Sequence, residues 1–224
     1  MADCPNKVKA PPARTGRSFL MIRAVHNGNR RQFAKILDRQ FRLRHEIFVR
    51  DRGWSEFEID GIYEKDPYDN DSTVYMIAVD AMENVAGGFR LYPTVLPHML
   101  SEQFPNLVDR TVPRRTDLLE LTRFAMRKTE RRSSHYFELL IAIQEYGLGE
   151  GLAGYTSVIN TLRIPILQSF GFDIEPLGLP QTIDGETIIA VLFHVNEDCL
   201  SRVRKAVNIH TSVFESTIAE RRIA

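Results

Sequence analysis

The sequence predicts an α/β fold, a mixed sheet flanked by helices on both faces, in a single domain. The chain has 224 residues and a mass of 25.7 kDa, which one hydrophobic core can fill. Strand-like apolar runs early in the chain are joined by a short turn and so pair antiparallel, whereas later ones alternate with helix-period stretches, as in βαβ units. A composition of 43% hydrophobic and 26% charged residues excludes a chain that is disordered throughout.

Residues 1–20 hold three prolines and few apolar groups and read as a disordered leader, with Met21 opening the folded part. MIRAV, from Met21, is a short strand, and HNGN supplies turn and cap residues for a helix starting near Arg30. In that helix Phe33, Ile36, Leu37, Phe41 and Phe48 recur at helical spacing, and Arg44 falls on the same inward stripe. The acidic segment from Asp51 to Ser72 has no sustained period and reads as a long irregular loop kept for function.

Val74–Val79 and Val85–Leu91 form a hairpin through Met82–Asn84, with Gly87 and Gly88 signalling a bulge or a close approach to a ligand. A short helix around Met99–Phe104 precedes the strand Leu118–Met126. Residues 133–148 read as a helix, Tyr155–Ile159 as a strand, and Leu162–Phe170 as a helix ended by Gly171. Ile174–Leu179 and Thr187–Val195 complete the sheet. The folded domain then spans residues 21–197, followed over 198–224 by a terminal helix and tail.

The formal net charge of zero conceals an asymmetry. Residues 1–52 carry 13 Lys/Arg against 4 Asp/Glu, and residues 53–109 carry 2 against 11. Adjacent segments of +9 and −9 point to intramolecular pairing; the basic residues lack interleaved aromatic platforms, so no nucleic-acid partner is expected. No apolar run approaches the ~18 residues that span a bilayer, and no signal-peptide pattern opens the chain. With only Cys4 and Cys199 there is no disulfide framework, and a reducing cytoplasm without membrane association is expected.

A buried charge must be paired, so arginines inside core-like elements carry information. Arg44, Arg90 and Arg123 are such arginines, and Asp66, Asp69 and Glu120 are their plausible counter-charges. Each alone reads as a structural ion pair. Glu120 and Arg123, three apart, point to opposite faces of a regular strand, and only a bulge brings them together. The six histidines show no metal-ligand spacing, and neither a GxSxG elbow nor a P-loop is present, so no metal is expected and no covalent nucleophile is evident. Gln144-Glu-Tyr-Gly147-Leu-Gly149 matches an acetyl-coenzyme A loop in spelling only, since it closes a helix instead of opening one.

Together, FRLRHEIFVRDRGW, DPYD, GGFRLYPTVLPHML with a following FP, and ELTRF resemble the acyl-homoserine-lactone synthases, the autoinducer synthases of quorum sensing, over roughly residues 21–196. The family's hallmark positions correspond to Arg44, Phe48, Trp54, Asp66, Asp69, Arg90, Glu120 and Arg123. The resemblance implies a GNAT-like fold without the standard pyrophosphate loop. It also implies a two-step reaction: the amine of S-adenosylmethionine attacks an acyl thioester, then the carboxylate displaces methylthioadenosine and closes the lactone. Adenosylmethionine is then a substrate and no bound cofactor is needed.

In this reading Arg44, Asp66 and Asp69 shape the adenosylmethionine pocket together with Arg123, and Phe48 and Trp54 wall it. Arg90 orders the acidic loop or meets the carboxylate, and Glu120 is the side chain suited to accept the amine proton. A rival GNAT enzyme acting on another amine, or a non-catalytic binding homologue, lacks a reason for the complete hallmark set. The resemblance places the acyl tunnel between the sheet and the later helices, near Phe104, Met126, Leu140 and Ser157. Serine at 157 can hydrogen-bond an oxygenated chain, though one hydroxyl does not fix chain length. The donor is acyl-CoA or an acyl-carrier protein, with VRDRGW closer to the subgroup using acyl-CoA with branched or aryl acids. Arg127, Lys128, Arg131 and Arg132 are candidates for coenzyme A phosphates or a carrier helix, or form a solvated turn. A monomer or weak homodimer is expected.

Overall fold

The computed structural model describes residues 21–130 and 134–214. The readings of residues 1–20, of Arg131 and Arg132, and of the tail from 215 lie outside these residues.

One eight-stranded sheet organises the chain, in the order β1-β4-β5-β6-β7-β10-β8, with β9 also on β10. These strands are β1 (Met21–Val25), β4 (Val74–Val79), β5 (Val85–Pro93), β6 (Leu118–Met126), β7 (Gly154–Asn160), β8 (Ile174–Pro176), β9 (Gln181–Ile183) and β10 (Glu186–His194). All neighbours are antiparallel except β6 and β7. That parallel pair is joined by α3 (Ser134–Gly149) as a βαβ crossover. The second expected unit differs: β7 and β8, linked by α4 (Arg163–Ser169), do not touch, because β10 lies between them.

Helices cover both faces. On one, α1 (Ala34–Arg44) sets Ile36, Leu37 and Phe41 against Tyr75, Ile77 and Val79, while α2 (Met99–Glu102) brings Leu100 against Ala190. On the other, Leu139, Leu140 and Ile143 of α3 join Cys199, Leu200, Val203 and Val207 of α5 (Glu197–Val207) over Met76, Phe89, Leu91, Val191 and Phe193. The first helix begins at Ala34, four residues after the expected Arg30, because Asn29 closes a turn by bonding the His26 amide and the Ala24 carbonyl. It runs directly into a π-helical stretch, His45–Arg50. Inside the expected loop a small hairpin forms from β2 (Glu58–Ile59) and β3 (Tyr63–Glu64).

The glycine pair of β5 is required by the close approach of the neighbouring strands. A Cβ at Gly88 would stand 2.5 Å from the Met76 carbonyl oxygen, and one at Gly87 2.8 Å from that of Ala125. Gly147 lies inside α3, packed against Val195 and the Tyr155 hydroxyl, so the acetyl-coenzyme A-like spelling does close a helix.

The irregularity that matters is in β6. Gly88 pairs with Ala125 and Arg90 with Thr122, so two steps on β5 face three on β6. The extra residue is Arg123, at a left-handed φ of 53°. Leu119 and Leu121 before it, and Phe124 and Met126 after it, all pack with the α3 cluster. The bulge keeps both cores in phase while turning the Arg123 side chain to the α1 and α2 face, where Glu120 also projects.

Candidate functional site

Three arginines and three carboxylates meet under the end of α1, contributed by four segments. Arg44 is the last residue of α1; Glu64 ends β3; Asp66 and Asp69 follow in the acidic loop; Arg90 lies on β5 and Arg123 at the bulge. They form a closed, alternating ring. Arg44 meets Glu64 at 2.6 Å; Glu64 meets Arg123 at 2.9 Å; Arg123 meets Asp66 at 2.8 Å. Asp66 pairs closely with Arg90, which reaches Asp69 at 3.1 Å. The circle closes where Asp69 accepts a two-pronged contact from Arg44, at 2.7 and 2.8 Å. All six are buried or nearly so, Arg123 being the most exposed of the arginines at 8%.

The ring explains its own ionisation. Burial alone would raise the Asp69 carboxyl, but Arg44 and Arg90 outweigh it and hold it well below the usual range. Burial likewise opposes the charged Arg44 and Arg90, yet Asp69 with Glu64 raises the first, and Asp69 with Asp66 raises the second. Arg123 is the exception. Burial, with repulsion from Arg90 and Arg44, pulls it below its ordinary value despite Glu64 and Asp66.

Above Arg123 stand aromatic rings. Phe48, on the π-helical stretch, and Trp54 stack 5.2 Å apart with planes 8° from parallel. The Arg123 guanidinium lies 5.6 Å from Phe48, 5.7 Å from Trp54 and 5.4 Å from Phe57. Phe48 is buried, whereas Trp54 is 41% exposed and forms the outer wall.

Glu120 departs from its expected part. The bulge does bring it to the side of Arg123, but it is not a counter-charge in the ring; that place belongs to Glu64. Instead its carboxylate accepts the backbone N–H of Leu100 at 2.6 Å and of Met99 at 3.1 Å, holding the start of α2. Burial pushes Glu120 upward, against these amides, His98 and Arg90.

Glu64 is the residue the sequence reading missed. It sits in a segment without periodicity, and its signal is positional only: two residues before Asp66, it shares that residue's side of an extended chain.

The four expected acyl-lining residues do not line one face. Met126, Leu140 and Ser157 lie on the α3 side, with the Ser157 hydroxyl donating to the Leu121 carbonyl at 2.8 Å. Phe104 packs beside Leu100, Leu107 and Ala190 on the α2 side. The sides approach each other where β6 and β7 part, since their pairing covers only Leu118–Glu120 against Gly154–Thr156. Beyond it, β6 and β7 share no further ladder pairs, and the Leu121 carbonyl is met by the Ser157 hydroxyl instead. Arg127 donates to the Val85 carbonyl at 2.8 Å, and Lys128 pairs with Asp51 at 3.0 Å on the exposed surface. Among the described residues no cluster of three or more His, Cys, Asp or Glu could hold a metal ion, and no helix is long and apolar enough to cross a membrane.

The family model described as autoinducer synthase matches residues 27–203. An isovaleryl-homoserine lactone synthase from Bradyrhizobium diazoefficiens is 32% identical over 194 residues, 86% of this chain and 88% of the relative. The solved structure of BjaI, a CoA-dependent acyl-homoserine lactone synthase, with SAM and isopentyl-CoA superposes with a TM-score of 0.83 at 30% identity, covering 92% of this chain and all of that one. An N-acetyltransferase from Lactobacillus plantarum shares the fold at a TM-score of 0.55 and 16% identity, covering 80% of this chain and 99% of that one.

Proposed function

This chain belongs to the autoinducer synthase family, and we propose that it is an acyl-homoserine-lactone synthase that takes its acyl group from a coenzyme A thioester. It is an acyltransferase acting on S-adenosylmethionine: N-acylation, then lactonisation with release of methylthioadenosine. The single observation that supports this most strongly is the closed charge ring beneath the Phe48–Trp54 stack. Such a ring is costly to bury and, as a support for a sheet, replaceable by apolar packing. Its worth lies in presenting fixed charge to a zwitterionic, sulfonium-bearing substrate.

In this proposal Arg44, Asp66, Asp69 and Arg90 hold the pocket rigid, and Phe48 and Trp54 wall the sulfonium and adenosine. Arg123, whose charge is the least secured, meets the substrate. An α-amine titrates near pH 8, so the enzyme needs chiefly to orient it and receive one proton. Glu120 receives it as the amine nitrogen bonds to the thioester carbon; its raised proton affinity suits the task, and a carboxylate accepting two amides keeps further lone pairs. The thiol then leaves, and the substrate's carboxylate oxygen attacks its own γ-carbon as the sulfonium departs. The acyl chain passes through the gap between β6 and β7, with Phe104 on one side and Met126, Leu140 and Ser157 on the other. The coenzyme A assignment rests on the near full-length likeness to the CoA-dependent relative.

The test is to offer purified protein adenosylmethionine with a panel of acyl-CoA and acyl-carrier-protein donors, following methylthioadenosine and the homoserine-lactone fragment ion. Turnover with a CoA thioester supports the whole reading; turnover only with a carrier protein overturns the donor; simple amide formation without methylthioadenosine overturns the class.

A further inference from the structure

We propose that Tyr68 is a positioning residue that keeps Glu120 aligned with the charge ring, acting through the short helix α2. The inference rests on the synthase reading, in which Glu120 takes the amine proton. With four residues, α2 has little hold of its own beyond the local pairing of His98 with Ser101. It is pinned at both ends. Glu120 accepts the Met99 and Leu100 amides at its start, and at its close the Tyr68 hydroxyl donates to Glu102 at 2.8 Å. Met99 also sets its sulfur 3.7 Å from Nη1 of Arg123.

Tyr68 belongs equally to the ring. It lies between Asp66 and Asp69, its amide donates to Asp66 at 2.9 Å, and the Arg90 guanidinium stands 5.6 Å from its ring centre. Tyr92 packs edge-on against it at 5.8 Å. Burial and the Glu102 carboxylate, opposed by Gln103, push the phenol up to about 12, so it is a donor throughout the working pH range. One side chain thus links the loop that carries Asp66 and Asp69 to the helix whose amides meet Glu120.

The link has a chemical consequence. Glu120 faces the Leu100 and Met99 amides, His98 and Arg90, all of which favour its ionised form against burial, and its charge in turn adds to the upward push on the Tyr68 phenol. When α2 loses its hold on Tyr68, the amides draw away and Glu120 binds its proton more tightly.

The experiment uses the full chain with adenosylmethionine and the acyl-CoA donor that supports turnover. Tyr68→Phe, which keeps the ring packing, should lower kcat about tenfold, the size of one lost hydrogen bond to a charged group. The acid limb of the kcat profile should move to higher pH while KM for adenosylmethionine changes little. Glu102→Ala should reproduce this, Glu102→Gln should rescue much of it by keeping an acceptor, and Tyr68→Phe with Glu102→Ala should be no worse than Glu102→Ala alone. Independent, multiplying losses, an unmoved acid limb, or a raised KM at unchanged kcat overturn the inference. A wild type that releases no methylthioadenosine with any donor overturns the synthase reading and this inference with it; an active wild type matched by Tyr68→Phe overturns this inference alone.

Discussion

On the α3 and α5 side of the sheet, Phe89, Leu91, Leu139, Leu140, Val191 and Val203 make an aliphatic and aromatic layer. On the α1 and α2 side the same strands present Arg90, Glu120 and Arg123, and the apolar packing is split into two smaller clusters around them. The difference teaches a division of labour. Apolar burial at about 25 cal/mol per Å² stabilises the fold from one side, while the other holds charges whose mutual attraction roughly offsets their desolvation. The strained backbone at Arg123 lies on the second side too.

Glu64→Ala should break this contrast most severely. It leaves the Nε groups of Arg44 and Arg123 without their carboxylate, which should cost about 3–5 kcal/mol and abolish turnover. Urea unfolding and methylthioadenosine release measure the two effects, and an active, fully stable variant would remove the ring from the mechanism. Leu139→Ala on the opposite side should cost a comparable ~2–5 kcal/mol, yet the protein that remains folded should keep its kcat. A proportionate fall in kcat would show that the two faces are not separable.

Acid sharpens the comparison further. Asp69 is held below its unfolded value of 3.8, so its contribution to stability is complete above that value and drains away as pH falls below it. Glu120 is shifted upward, so its contribution has the opposite sense: present at low pH and lost as pH rises through its folded value. Asp69→Asn should therefore be clearly less stable than the wild type at pH 7, with the gap narrowing towards pH 3. A gap independent of pH would mean that the Asp69 charge is not what the ring needs. The smallest effect expected is from Ser157→Ala, about 1 kcal/mol for the lost bond to Leu121. Because that hydroxyl proton is already engaged, donor preference between plain and oxygenated acyl-CoA should shift little; a large shift would bring Ser157 to the centre of selectivity.

Much of this is legible in the sequence. The apolar run Leu118–Met126 marks the bounds of β6, and five of the six ring residues stand out as charges in core-like elements or in an acidic loop. The remainder was hidden for identifiable reasons. Glu64 depends on a two-residue strand, too short for any pattern to register. The π-helical turn after Arg44 keeps helical spacing for Phe48 and so looks like more of α1. The bulge turns on a non-glycine residue at positive φ, which propensity cannot anticipate. That same bulge reverses the parity of β6, so counting alternate residues along a regular strand cannot tell which of its side chains share a face.

The extra residue in β6 also makes the sheet's packing and its chemistry independently variable. Remove position 123 and the strand falls back into plain two-residue alternation, with Leu119, Leu121, Phe124 and Met126 still turned towards α3 and Ala125 still turned towards α1. A backbone one residue shorter therefore keeps the apolar packing of β6 and opens the ring at a single point, between Glu64 and Asp66. The core of β6 and the closure of the ring thus depend on different residues of one strand, so a change at position 123 reaches the charges without passing through the packing.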